Sequence, residues 1–172
     1  MKTVVLDPVP VEVARLIERR GRLGQDRFDE IWEGTHHMAP VPRGRHGYLD
    51  DQPATLLRPY AEAAGLVGTG PVNIGERDDY RVPDRAYHRR FDPEAVYYST
   101  AAVVVEILSP DDETYNKLPF YAAHHVEEVL VVEPVRRRVR VLCLAGDGYQ
   151  DSGRSSVLSA GVEELQARLH WL

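Results

Sequence analysis

Apolar and polar positions along the chain change period several times, and each change predicts an element. In Val11–Gly21 (VEVARLIERRG) the apolar residues Val13, Leu16 and Ile17 fall at helical spacing and the run closes on a glycine, which predicts a short amphipathic helix. Arg27–Gly34 (RFDEIWEG) alternates and ends in a turn, as a strand does. The second part of His46–Gly65 is helical, with Leu56, Leu57, Tyr60 and Ala64 on one face, and Pro53 marks an early helical position or a kink. Gly68–Glu76 (GTGPVNIGE) lacks the Lys-Ser/Thr of a phosphate loop and reads as a strand–turn–strand connection. Asp79–Arg90 is extended, because Pro83 pushes Val82 into β space. A strand over Ala101–Leu108 leads to a helix ending near His125. Strands at Glu128–Glu133 and Arg138–Leu144 follow, joined by a turn at Pro134–Arg137. A short strand around Ser155–Leu158 precedes an amphipathic segment, Val162–Leu172. With no repeat or linker in view, residues 1–172 are expected to form one domain. Its class is mixed α/β (α+β), with a central mixed sheet flanked by helices.

One residue breaks the pattern. Glu106 sits inside the run Val103, Val104, Val105, Ile107, Leu108. An ionised carboxylate in an apolar strand is costly, so it needs a partner, a metal or a raised pKa. The plain alternative is an edge-strand glutamate facing solvent, on the face shared by Val104 and Leu108. Apolar residues on both faces argue instead for a central strand covered on both sides. Pro83-Asp84 lies upstream at a separation that suits an adjacent strand. Downstream, Ser109-Pro110 ends the strand, and Asp111, Asp112, Thr114 or Asn116 could each cap the next helix. Pro119 is tolerated only in a first turn. The helix is therefore expected to start near Thr114–Asn116, with Lys117 in its opening turn, able to fold back toward Glu106. A solvated helix lysine is the competing account.

Composition narrows the class. The chain has 172 residues, 43% of them hydrophobic, enough for a real core. Its single cysteine, Cys143, excludes an internal disulfide and is expected in the core. No apolar stretch is long enough to cross a bilayer, and the first residues do not form a secretion signal, so a cytoplasmic protein is expected. The formal charge of −6 argues against a non-specific nucleic-acid coat, yet sites that hold cations collect carboxylates. The adjacent pairs His36-His37 and His124-His125 are expected at the surface or at element ends. Arg136–Arg140 (RRRVR) could touch a phosphate backbone or form a solvated turn.

At the residues around Glu106 the chain resembles a known family. Pro83-Asp84, then VVVEILSP at Val103–Pro110, then Lys117 and Tyr121, then VEEVLVVEP at Val126–Pro134 are similar to the Uma-type putative restriction endonuclease family of the PD-(D/E)XK nuclease superfamily. DEIWEGTHHMAP (Asp29–Pro40) resembles that family's Glu-containing strand, Gly turn and Met-Pro segment, with His46 where a histidine usually follows. The resemblance runs from about Phe28 to Leu144.

That resemblance implies a restriction-endonuclease-like core and a metal-dependent DNA endonuclease that hydrolyses phosphodiester bonds, working as a homodimer to reach both strands. It makes Asp84 the motif aspartate, Glu106 the acid of the (D/E)XK element, Lys117 the lysine, displaced to the helix because Leu108 occupies its usual place, and Glu30 an N-terminal acidic partner. Asp84, Glu106, the Ile107 carbonyl and Glu30 would hold Mg²⁺ or Mn²⁺. Lys117 would orient or deprotonate water, or neutralise the developing oxyanion. Ser99–Ala102 (STAA) replaces a second Pro-Asp common in the family. This departure supports an alternative, a catalytically inactive nuclease-fold protein that acts as a binding module.

Overall fold

The computed structural model describes residues 3–5, 8–109 and 113–172. Strands β1 (Thr3–Val5), β2 (Glu30–Trp32), β3 (Thr35–Met38), β4 (Val67–Thr69), β5 (Asn73–Glu76), β6 (Asp79–Arg81), β7 (Arg85–His88), β8 (Tyr97–Tyr98) and β9 (Val103–Ile107) fill the first part. Strands β10 (Glu128–Glu133), β11 (Arg138–Ala145), β12 (Gly148–Ser152), β13 (Arg154–Ser155) and β14 (Ala160–Gly161) follow. The helices are α1 (Val11–Arg22), α2 (Gly44–Ala63), α3 (Leu118–Ala123) and α4 (Val162–Arg168), with a 3₁₀ turn at Thr114–Lys117 leading into α3.

The fold is mixed α/β, but the single central sheet expected from the sequence is replaced by two six-stranded sheets and a two-stranded one. One large sheet runs β12-β11-β10-β9-β7-β4 and the other β1-β3-β2-β6-β5-β8. The short strands β2, β3, β5 and β6 are too brief for periodicity to assign them to a second sheet. In the first large sheet β9 pairs parallel with β10 and antiparallel with β7. A parallel pair needs a crossover, which the 3₁₀ turn and α3 supply.

β9 is buried along its whole length, as expected of a central strand. Val103, Val105 and Ile107 face a core with Leu49, Leu56 and Leu57 of α2 and Leu165 of α4. Val104 faces the opposite core, with Phe120 and Tyr121 of α3, Val129 and Val131. Strand alternation therefore sends Glu106 to the α3 side. Gly75 of β5 has φ 118°, and a Cβ there would lie 2.7 Å from the Phe120 ring. Only glycine lets β5 approach α3 this closely.

Several local expectations change. Helix α2 begins at Gly44, well before the predicted helical half, and runs through both Pro53 and Pro59. Each proline removes a ladder hydrogen bond. Leu49, Pro53, Leu56, Leu57 and Ala61 are nonetheless all buried, and that packing outweighs the local preference. The expected strand at Ser155–Leu158 is instead two short strands, β13 and β14, flanking a turn. Buried Glu128 organises that turn. It accepts bonds from the Ser155 hydroxyl, the Ser156 amide and hydroxyl (both 2.7 Å) and the Val157 amide (3.1 Å). Helix α1 forms as expected but buries none of its residues. Cys143 is only half-buried, at the margin of the core. Pro110, Asp111 and Asp112, expected to end the strand or cap the next helix, lie outside the described residues. The 3₁₀ turn does begin at Thr114, and Pro119 falls in the first turn of α3.

Candidate active site

The site forms where the two large sheets meet α3. Glu106 and Lys117 are each 4% exposed, and Glu30 is 1% exposed. Glu106 is the penultimate residue of β9, while Lys117 ends the 3₁₀ turn that follows. The lysine amine lies 3.0 Å from Glu106 Oε1 and 3.3 Å from Oε2. It also lies 2.8 Å from Glu30 Oε1, so one ammonium bridges two carboxylates from different sheets. One helical turn beyond Lys117, the Tyr121 hydroxyl donates to Glu106 Oε1 at 2.6 Å.

Glu30 is held in turn by sheet geometry. The Val82 amide donates to Oε1 at 2.9 Å, and the Trp32 indole N–H donates to Oε2 at 2.8 Å. Arg81 of β6 is buried between the rings of Trp32 (4.4 Å) and Phe120 (4.0 Å), a cation–π sandwich tying β2 to α3. His37, directly opposite Glu30 in the β2–β3 pair, is buried and stacks on Trp32 at 4.3 Å. Its Nδ1 lies 3.5 Å from Glu113, just before the turn that carries Lys117. The surface position expected of His37 is thus corrected: β3 lies inside a sheet, and this face of it lines the site. His124 and His125 do sit at the C-terminal end of α3.

Asp84 stands one residue beyond the Arg85–Val105 pair, which brings it level with Glu106 across β7 and β9. Side chains so placed on one face stand about 5 Å apart at Cβ. Asp84 Oδ2 accepts the Ile107 amide at 2.6 Å, and Oδ1 pairs with His46 Nε2 at 2.9 Å.

The electrostatics follow from this packing. Burial pushes the Glu106 carboxyl up to about 7. Lys117 opposes that rise, the charges on Asp84 and Glu30 add to it, and the Tyr121 hydrogen bond works against it. For Lys117, burial alone would lower the pKa, but Glu106 and Glu30 outweigh it and raise it above the ordinary lysine value. The lysine is held as an ammonium. It can stabilise developing negative charge, and it is a poor base.

A divalent cation can be tested against this donor set. Among the described residues no three His, Cys, Asp or Glu side chains converge around one point. Each oxygen of Glu30, Asp84 and Glu106 already has a hydrogen-bond partner, so a cation would use their further lone pairs. Asp84 and Glu106 are neighbouring carboxylates, and the charge of Asp84 adds to the rise that burial gives the Glu106 pKa. Two hard carboxylates suit Mg²⁺, which takes one or two from a protein and keeps several waters.

Sequence reasoning therefore names residues that the structure brings together: Asp84, Glu106, Lys117 and Glu30 share one locality. It assigned no role to Tyr121, Trp32, His37 or the bond from His46 to Asp84. The spacing of Lys117 and Tyr121, one turn apart on a helix, was the available signal for Tyr121. The others depend on pairing between strands distant in sequence.

The chain superposes on a putative nuclease of the DUF820 family from Anabaena variabilis ATCC 29413 with a TM-score of 0.63, at 15% identity, covering 81% of this chain and 90% of that one. The likeness establishes the fold. Residues 17–169 match the Uma2 family model, described as putative restriction endonuclease, and the chain belongs to that family. No curated protein matches it. Among the described residues no helix is long and apolar enough to cross a membrane.

Proposed function

We propose that this protein is a Mg²⁺- or Mn²⁺-dependent DNA endonuclease of the cytoplasm that hydrolyses phosphodiester bonds and acts as a homodimer. The observation that carries the reading is the buried Glu106–Lys117–Glu30 group beside Asp84. A buried ion pair is rarely worth more to stability than apolar packing of the same volume, so three charges on a central strand and its neighbours point to chemistry. Nuclease-family membership supports the reaction class, and the need to reach both strands of a duplex supports two copies.

Asp84 and Glu106 would hold the cation with the Ile107 carbonyl, and Glu30 would stand behind them. The bound ion supplies charge stabilisation at the phosphate and an acidified water. Tyr121 fixes the orientation of Glu106 through its hydroxyl. Lys117, held protonated, faces negative charge developing on the phosphate oxygens and offsets it. Glu30 keeps the ammonium in place and is itself locked by Trp32 and the Val82 amide.

A second reading, a nuclease-fold protein that binds rather than cuts, is favoured by Ser99–Ala102 (STAA), which stands where the family commonly has a second Pro-Asp. One assay separates the two. Supercoiled plasmid is incubated with the parent and with E106Q, with and without Mn²⁺. The nuclease reading expects nicked or linear product that requires both the metal and Glu106. Intact plasmid with the parent, or equal cutting by E106Q, overturns it.

A further inference from the structure

We infer that His46 is the positioning residue of Asp84, fixing the carboxylate plane on which cation binding depends. The inference rests on the reading of Asp84 as a cation-holding residue. Asp84 is tied at two points. The Ile107 amide holds Oδ2 at 2.6 Å, and His46 Nε2 holds Oδ1 at 2.9 Å. A carboxylate accepts only, so His46 Nε2 carries the hydrogen in this bond. One fixed oxygen leaves a carboxylate free to turn about its own bond. Two fixed oxygens define its plane and leave the remaining lone pairs aimed in set directions.

The helix that carries His46 is itself anchored beside Asp84. Arg85, the next residue in the chain, reaches across to α2. Its Nε donates to the Asp50 carbonyl at 2.9 Å and its guanidinium to Asp50 Oδ2 at 2.9 Å. Asp50 lies one helical turn beyond His46, so two adjacent residues of the Pro-Asp-Arg segment grip two positions on one face of α2. The Arg85 charge also offsets that of Asp50, a carboxylate that feels the charge of Asp84. His46 and Asp84 are both partly exposed, at 23% and 21%. The dyad thus stands at the open side of the site, where buried packing does not hold side chains in place and a hydrogen bond must.

The test compares H46Q, whose amide N–H can reach Asp84 from a similar place, with H46L, of similar volume but without a donor. Mn²⁺ affinity is read from the EPR signal of the free ion, and circular dichroism of the metal-free proteins checks the fold. If leucine disturbs α2, H46A makes the same comparison. H46L is expected to weaken Mn²⁺ binding about tenfold, the scale on which the hydrogen-bond partners of metal ligands act. H46Q is expected to stay close to the parent. Parent-like binding by H46L overturns the inference. Binding by H46Q as weak as that of H46L also overturns it, because the imidazole itself is then required. If the parent binds no Mn²⁺, the metal reading of the site fails and the inference falls with it.

Discussion

Lys117 joins Glu106 to Glu30, with its amine 3.0 Å from the first and 2.8 Å from the second, and none of the three reaches solvent appreciably. Removing the cation strands two buried carboxylates. K117M should therefore cost about 3–5 kcal/mol, the range for breaking a buried pair. Adding E106Q to K117M should recover part of that loss, since one uncompensated charge disappears. Urea unfolding of the two single variants and the double variant gives the coupling. Additive losses would mean that the bridge does not act as a unit.

Stability of the metal-free protein should depend on pH through Glu106. Its carboxyl titrates near 7 in the folded chain, above the ordinary value of 4.5. Between those values the folded protein keeps a proton that the unfolded chain has released. The stabilisation is fully present below 4.5 and is lost as pH rises through about 7. E106Q carries no proton to lose. In EDTA, its stability relative to the parent should rise between about pH 5 and about pH 7.5. A constant difference across that window would show that Glu106 does not titrate there.

Cation binding should appear in melting. An ion that binds only the folded state stabilises it by about 2.7 kcal/mol at a hundredfold excess over its dissociation constant. For a chain of this size that is a rise of several degrees. The parent should show it with Mn²⁺, and D84N and E106Q should show much less. Equal shifts in all three would place the ion elsewhere.

Glu128 provides a contrast from outside the site. Its carboxylate is buried and gathers the Ser155–Val157 turn through hydroxyl and amide donors. E128A leaves those groups without their acceptor and should cost on the order of 3 kcal/mol. The metal-dependent rise in melting temperature should persist in E128A. Loss of that response would connect the turn to the site.

Local patterns determined much of this protein. Apolar runs mark β9, where only Glu106 interrupts, and the interior of β10, because a strand covered on both faces needs no polar side. Pro119 placed the first turn of α3, and with it Lys117, because proline costs least where the helix has no hydrogen bond to lose. The anomaly of Glu106 within five aliphatic residues pointed to a site before any contact was known. The tertiary structure decided what those patterns do not encode. Two large sheets form rather than one, because strands of three or four residues have too short a period to show which partners they choose. Helix α2 continues through Pro53 and Pro59 because burial against β9 exceeds the loss of two ladder bonds. Glu30, His37 and His46 reach Lys117, Trp32 and Asp84 only because sheet pairing and helix docking join segments far apart in the chain. Which neutral or charged partner a buried carboxylate meets is a property of that docking. Residue type sets the demand for a partner, and the folded geometry alone supplies one.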